Sequence, residues 1–110
     1  MADPLALRLA GTPLLRVGAR DCALDGLAAV VAARLALEGP QPRALLAGLL
    51  WPGVDPSRAR ANLRQRLLRL RQQAGVEWIT GEATLVLVPG LVVEPTADPA
   101  APELLQGVEL

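Results

Sequence analysis

DPSRARANLRQRLLRLRQQAG, Asp55 to Gly75, decides how the rest of the chain is read. Asp55 is a natural N-cap, Pro56 suits the first helical position and Gly75 supplies a stop, so the spacing predicts one helix over 56–74. Ala59, Leu63, Leu67, Leu70 and Ala74 fall on one stripe of that helix, the face that would meet a core. Between Arg58 and Arg71 lie six arginines and no acid, whereas the rest of the chain carries five arginines and all eleven acids. A net charge of zero therefore hides a concentrated local cation.

At about 100° per residue, the face opposite the stripe is centred on Ala61, Gln65, Leu68 and Gln72. Arg60, Arg64 and Arg71 flank it on one side, and Arg58, Asn62 and Arg69 on the other. Short and amide-bearing residues along the ridge with arginines on both banks suit a DNA major groove, where arginines meet phosphates and amides read base edges. A solvated amphipathic helix whose arginines serve solubility would show the same pattern, so its surroundings must decide.

The chain of 110 residues is sized for one domain, and its 52% hydrophobic content argues against disorder. With two Trp and no Phe or Tyr, the core must be built from Leu, Val and Ala, and a stacking platform for single strands is not supplied. All eleven basic residues are arginine, which reflects mostly a GC-rich coding bias and weakens any argument that Arg was selected over Lys for its guanidinium fork. His is absent and Cys22 has no partner, so disulfides, zinc sites and His-based acid–base catalysis are not expected. No apolar run is long enough to span a bilayer, and MADPLALRLAG lacks the basic start of a secretion signal, so a soluble cytoplasmic protein is expected.

Around the Arg-rich helix, the order of elements is legible. Leu5–Ala10 and Pro13–Val17, separated by Gly11-Thr12, read as a hairpin, and Cys22–Leu24 as a third short strand. Asp25 caps a helix to about Glu38, with Leu24, Leu27, Val31 and Leu35 on one face and Gly39-Pro40 ending it. Pro42 starts a second helix through Leu50, expected to bury Leu45, Leu46, Leu49 and Leu50; Trp51, before Pro52, closes it and is expected to wedge between helices. Pro52–Val54 leads into the Arg-rich helix, so two helices are joined by a short turn and the second shows a polar face, the helix-turn-helix arrangement. Val76–Thr80 and Thr84–Val88 around Gly81-Glu82-Ala83 read as a further hairpin of the size called a wing, and Leu91–Val93 as an extension of the sheet. From Glu94 the sequence is Pro/Ala-rich and acidic, which divides the chain into a domain over 1–93 and a linker, or the start of a further unit with ELLQGVEL, over 94–110.

The stretch RALLAGLLWPGVDPSRARANLRQRLLRLRQQAG, Arg43 to Gly75, and within it LLWP and ARANLRQRLLRLR, resembles the winged-helix domain of bacterial transcriptional activators of the Streptomyces antibiotic regulatory protein type. Those domains are relatives of the OmpR-like response-regulator effector domain. LALRLAGTPLLRV and TLVLVPGLVV fit as well, and the likeness covers roughly residues 5–93. The resemblance implies an α+β winged helix-turn-helix: a small N-terminal antiparallel sheet, three helices and a C-terminal β-hairpin wing. It also implies a third helix in the major groove and a wing reaching the adjacent minor groove or backbone.

Two functions compete. In the first, the chain is the DNA-binding domain of a bacterial transcriptional regulator, with double-stranded DNA as partner. Arg58, Arg64, Arg69 and Arg71 then meet phosphates, Asn62, Gln65 and Gln72 read adenine edges, and Leu68 touches a thymine methyl. A homodimer is the natural extension, since one recognition helix reads only a few base pairs. In the alternative, the domain docks on RNA polymerase, a sister protomer or its own C-terminal domain; neutral net charge, the acidic hairpin tip and Leu68 favour this. An enzyme is not expected, for there is no His, no nucleophile in a catalytic setting, no phosphate-cradling Gly loop and no paired carboxylates on one face; nor is a cofactor or metal.

Overall fold

The computed structural model describes residues 4–94, so the acidic segment from 95 to 110, including ELLQGVEL, lies outside the described residues. Leu5–Arg8 (β1), Leu14–Val17 (β2) and Arg20–Ala23 (β3) form an antiparallel meander, with Leu7 opposite Leu15 and Leu15 opposite Cys22. Alternation along β2 turns Leu15 and Val17 into the core and leaves Leu14 and Arg16 half-buried. Gly26–Glu38 (α1) follows; the Asp25 carboxylate accepts from the Ala28 N–H at 2.8 Å, satisfying one of the free donors of the first turn.

Gln41–Pro42 (β4) is a two-residue strand that sequence patterning did not reveal, and Arg43–Leu50 (α2) begins directly after it. Pro56–Ala74 (α3) is the Arg-rich helix, with the bounds expected. Asp55 accepts from the N–H groups of Ser57 and Arg58 at 3.1 and 3.3 Å, and Gly75, at φ 77°, takes the left-handed conformation that lets its N–H reach the Arg71 carbonyl. Asp55→Ala is expected to cost about 1 kcal/mol of stability, a fall in Tm of about 4–8 °C for a domain of this size in a thermal melt.

Ile79–Thr80 (β5) and Thr84–Leu87 (β6) make the C-terminal hairpin, with Ile79 opposite Leu87. β6 also pairs with β4, giving a three-stranded sheet of order β4-β6-β5. Val92–Val93 (β7) leaves the hairpin and runs parallel to β1, completing a four-stranded sheet of order β3-β2-β1-β7. The extension expected from Leu91–Val93 thus belongs to the N-terminal sheet, which becomes mixed rather than purely antiparallel. Glu94 fastens this closure: its N–H donates to the Leu7 carbonyl at 2.8 Å, and its carboxylate meets Arg8 at 3.4 Å and Arg16 at 3.2 Å. Arg16 also bonds Asp21, and that hydrogen bond, then the charges of Asp21 and Glu94, raise its pKa, so it stays charged at any working pH.

Among the described residues the architecture is α+β, three helices and two small sheets. Leu7, Leu15, Val17, Leu70, Ala74 and Trp78 centre one apolar cluster between the four-stranded sheet, α1 and the end of α3. Val31, Leu35, Leu46, Ala59, Leu63 and Leu85 centre a second, where α1, α2, the start of α3 and β6 meet. α3 lies along both, contributing Ala59 and Leu63 to one and Leu70 and Ala74 to the other, with the half-buried Leu67 against each.

Two expectations about the core need correction. α2 buries Leu46 and Ala47, whereas Leu45 and Leu49 are 43% and 50% exposed and Leu50 is only half-buried. The small Ala47 and Ala59, both buried in the second cluster, let α2 lie close against α3, and this turns the 46/47/50 edge inward and 45/49 outward. The tryptophan at the centre of the core is Trp78, 2% exposed; Trp51 is half-buried at the edge of the second cluster.

Candidate nucleic-acid interface

The alternation that buries Ala59, Leu63, Leu70 and Ala74 forces the opposite face of α3 outward. Arg58, Arg60, Arg64, Gln65, Leu68, Arg69, Arg71 and Gln72 are all exposed, Leu68 at 47%, and Asn62 is half-buried. The 19 residues of α3 make a rod of about 28 Å, long enough to cross a major groove about 12 Å wide.

A shallow trough runs along each flank of the exposed ridge. The first, of about 280 Å³, is lined by Trp51, Asn62, Gln65, Arg66 and Arg69. The second, of about 220 Å³, lies between α3 and the C-terminal hairpin; Arg64, Leu68, Arg71 and Arg43 border it, and Leu67, Ile79 and Leu85 contribute its apolar lining. One pair from each sequence-derived bank is brought together, Asn62 with Arg69 and Arg64 with Arg71. Arg58 and Gln72 stand on the exposed surface outside both troughs, and Arg60 borders a small crevice beside Trp51, Pro52 and Pro56.

Of the six arginines, one is consumed internally: Arg66 Nη1 lies 2.8 Å from Asp25 Oδ2, tying the middle of α3 to the start of α1. Among the described residues, Arg58, Arg60, Arg64, Arg69 and Arg71 have no carboxylate within 4.0 Å. Five unneutralised guanidinium groups on one helix attract polyanions locally, although the whole chain is neutral.

Three positioning contacts escape sequence reasoning because their partners are far apart in the chain. Arg20 of β3 donates to the Ala74 carbonyl at 2.6 Å and the Gln73 carbonyl at 3.5 Å, so a cation closes the negative end of α3. Arg43, at the first position of α2, holds the hairpin tip: its backbone N–H reaches the Ala83 carbonyl at 2.9 Å, and its guanidinium bonds the carbonyls of Glu82 and Gly81. The tip can fold back this closely because Gly81, at φ 114°, has no Cβ to strike the Thr84 carbonyl. The third is the Arg66–Asp25 pair, in which the capping residue of α1 doubles as an anchor for α3.

Among the described residues, no group of three or more His, Cys, Asp or Glu side chains is placed to hold a metal ion, and no helix is long and apolar enough to cross a membrane. Comparison with known proteins finds no matching family model, no matching curated protein and no matching solved structure.

Proposed function

We propose that this chain is the DNA-binding domain of a bacterial transcriptional regulator, a winged helix-turn-helix of the OmpR-like type that acts in the cytoplasm without a cofactor or catalytic activity. The observation that carries the proposal is the outer face of α3, where five arginines without acidic partners among the described residues flank an exposed ridge of Gln65, Leu68 and Gln72. α3 enters the major groove; Arg58, Arg64, Arg69 and Arg71 fix its register on phosphates, while Asn62, Gln65 and Gln72 face base edges and Leu68 a thymine methyl. The strand β4, paired with β6 beside the β5–β6 hairpin, supports taking that hairpin as the wing. With about four phosphates neutralised, log K for duplex DNA falls against log salt with a slope of about 3–4. A salt titration on mixed-sequence duplex checks this, and an affinity indifferent to salt overturns it.

A second function is favoured by one feature, the trough between α3 and the hairpin, where Leu67, Leu68, Ile79 and Leu85 lie among Arg43, Arg64, Arg71 and Glu77. Leu68 projects beside it, and the neighbouring tip carries Glu82 and no cation of its own. On this account the domain docks a protein such as RNA polymerase, a sister protomer or its own C-terminal region. Absence of DNA binding at low salt would select it.

A further inference from the structure

α1 presents an uncovered stripe on the face away from its core residues. Val30, Ala33, Arg34, Leu37 and Glu38 fall at i, i+3, i+4, i+7 and i+8, and together line one shallow groove of about 270 Å³. Val30 is 52% and Leu37 74% exposed, more than any other large apolar side chain of the helices except that Leu49 nearly matches Val30. The stripe also carries one charge of each sign. Neither Arg34 nor Glu38 has an ion-pair partner within 4.0 Å among the described residues, and the Arg34 Nε–H is buried without any hydrogen-bond acceptor. The buried Nε is out of reach of a second molecule, so a carboxylate meets Arg34 through its terminal nitrogens, which carry no hydrogen bond within the chain among the described residues.

We infer that this stripe is a homodimer surface, occupied by the same stripe of a second copy packed antiparallel across a two-fold axis. The patch is self-complementary in the sense such an axis demands. With the helices crossing at the small Ala33, Val30 of one copy meets Leu37 of the partner subunit, and Arg34 reaches Glu38 of the partner subunit; symmetry forms each contact twice. None of these residues lines either trough beside α3, so the pairing leaves the arginine face free. The patch is confined to five residues on one helix face, fewer than the roughly 20–30 residues a side of a standard stable interface, so the free dimer is weak. The inference does not depend on what α3 binds, because self-association is measured without DNA.

The test is sedimentation equilibrium of the full chain from about 10 to 500 μM, the range where a small interface associates. The wild type self-associates to a dimer. Arg34→Glu and Glu38→Arg each set like charges against one another twice and weaken the dimer roughly 10-fold or more, while the double charge swap restores it to within about 3-fold. Leu37→Asp abolishes it, and circular dichroism verifies that each variant keeps its helix content. A wild type that stays monomeric over the whole range overturns the inference. So does a double swap that fails to recover what the single reversals lose.

Discussion

Replacing Arg64 and Arg69 together by alanine is expected to weaken binding to duplex DNA about 100-fold, with Tm changed by no more than about 2 °C. Each arginine contributes one charge-assisted contact, worth about 1.5 kcal/mol or more when made to a phosphate. The two sit in different troughs, Arg64 beside the hairpin and Arg69 beside Trp51, so their losses add. The weakening is uniform across sequences, because phosphate contacts carry no base information. Stability is spared because both side chains are exposed and neither forms an intramolecular ion pair among the described residues. Fluorescence anisotropy on a labelled duplex reads the affinity and a thermal melt the stability. A large fall in Tm for the pair would mean that the arginines belong to the fold rather than to its surface.

The largest effect on folding is expected at Trp78. Its indole is 2% exposed, enclosed with Leu7, Leu15, Leu70 and Ala74 where the four-stranded sheet meets the end of α3. Trp78→Ala removes the largest side chain of a core that has no Phe or Tyr to take its place. The cavity and the lost transfer energy together cost about 3–5 kcal/mol, a fifth or more of the ~5–15 kcal/mol that holds a typical domain. Tm falls by about 15 °C or more, and near-UV circular dichroism of the variant flattens as packing around the remaining tryptophan loosens. Trp78→Phe, which keeps a ring in the same space, loses much less. Because the cluster also seats Leu70 and Ala74, the same cavity loosens the C-terminal half of α3, and DNA affinity falls with stability instead of independently of it.

The helices were legible because their ends are written locally. Asp25 and Asp55 cap, Gly39 and Gly75 stop, and each signal acts within a few residues of where it stands. The inward stripe of α3 was legible for the same reason, since its period is fixed by the helix. The stripe of α2 was not: four leucines in eight residues fit several inward faces, and the choice was made by Ala47 and Ala59, whose small size becomes informative only once two helices meet. Nor could composition separate the two tryptophans. Trp51 borders a proline turn, whereas Trp78 is placed in the core by the strand that follows α3, and only the tertiary arrangement shows which is enclosed.

The candidate interface divides the same way. Which residues share the outer face of α3 follows from 3.6-residue periodicity; Asn62 with Arg69 and Arg64 with Arg71 each flank one trough, whereas Arg58 lies outside both and Arg60 borders a separate crevice. That Arg66 is spent on Asp25, that Arg20 caps the far end of the helix and that Arg43 grips the hairpin tip depend on partners roughly 40 to 55 positions away. Periodicity carries no information at that range. The two-residue strand β4 was invisible as well, being too short for any alternating pattern, and although Leu91–Val93 read as a sheet extension, its partner did not; yet β4 joins the hairpin to α2 and β7 ties the end of the domain to β1.

The central claim is that α3 lies in the major groove, and the most direct measurement fills one groove at a time. Affinity is compared on plain duplex, on duplex whose cytosines carry bulky glucosyl-hydroxymethyl groups in the major groove, and on plain duplex preloaded with a minor-groove ligand such as netropsin. The account predicts that glucosylation abolishes binding, while netropsin leaves it within a few-fold of the plain duplex. Binding that survives glucosylation and is lost to netropsin would contradict it.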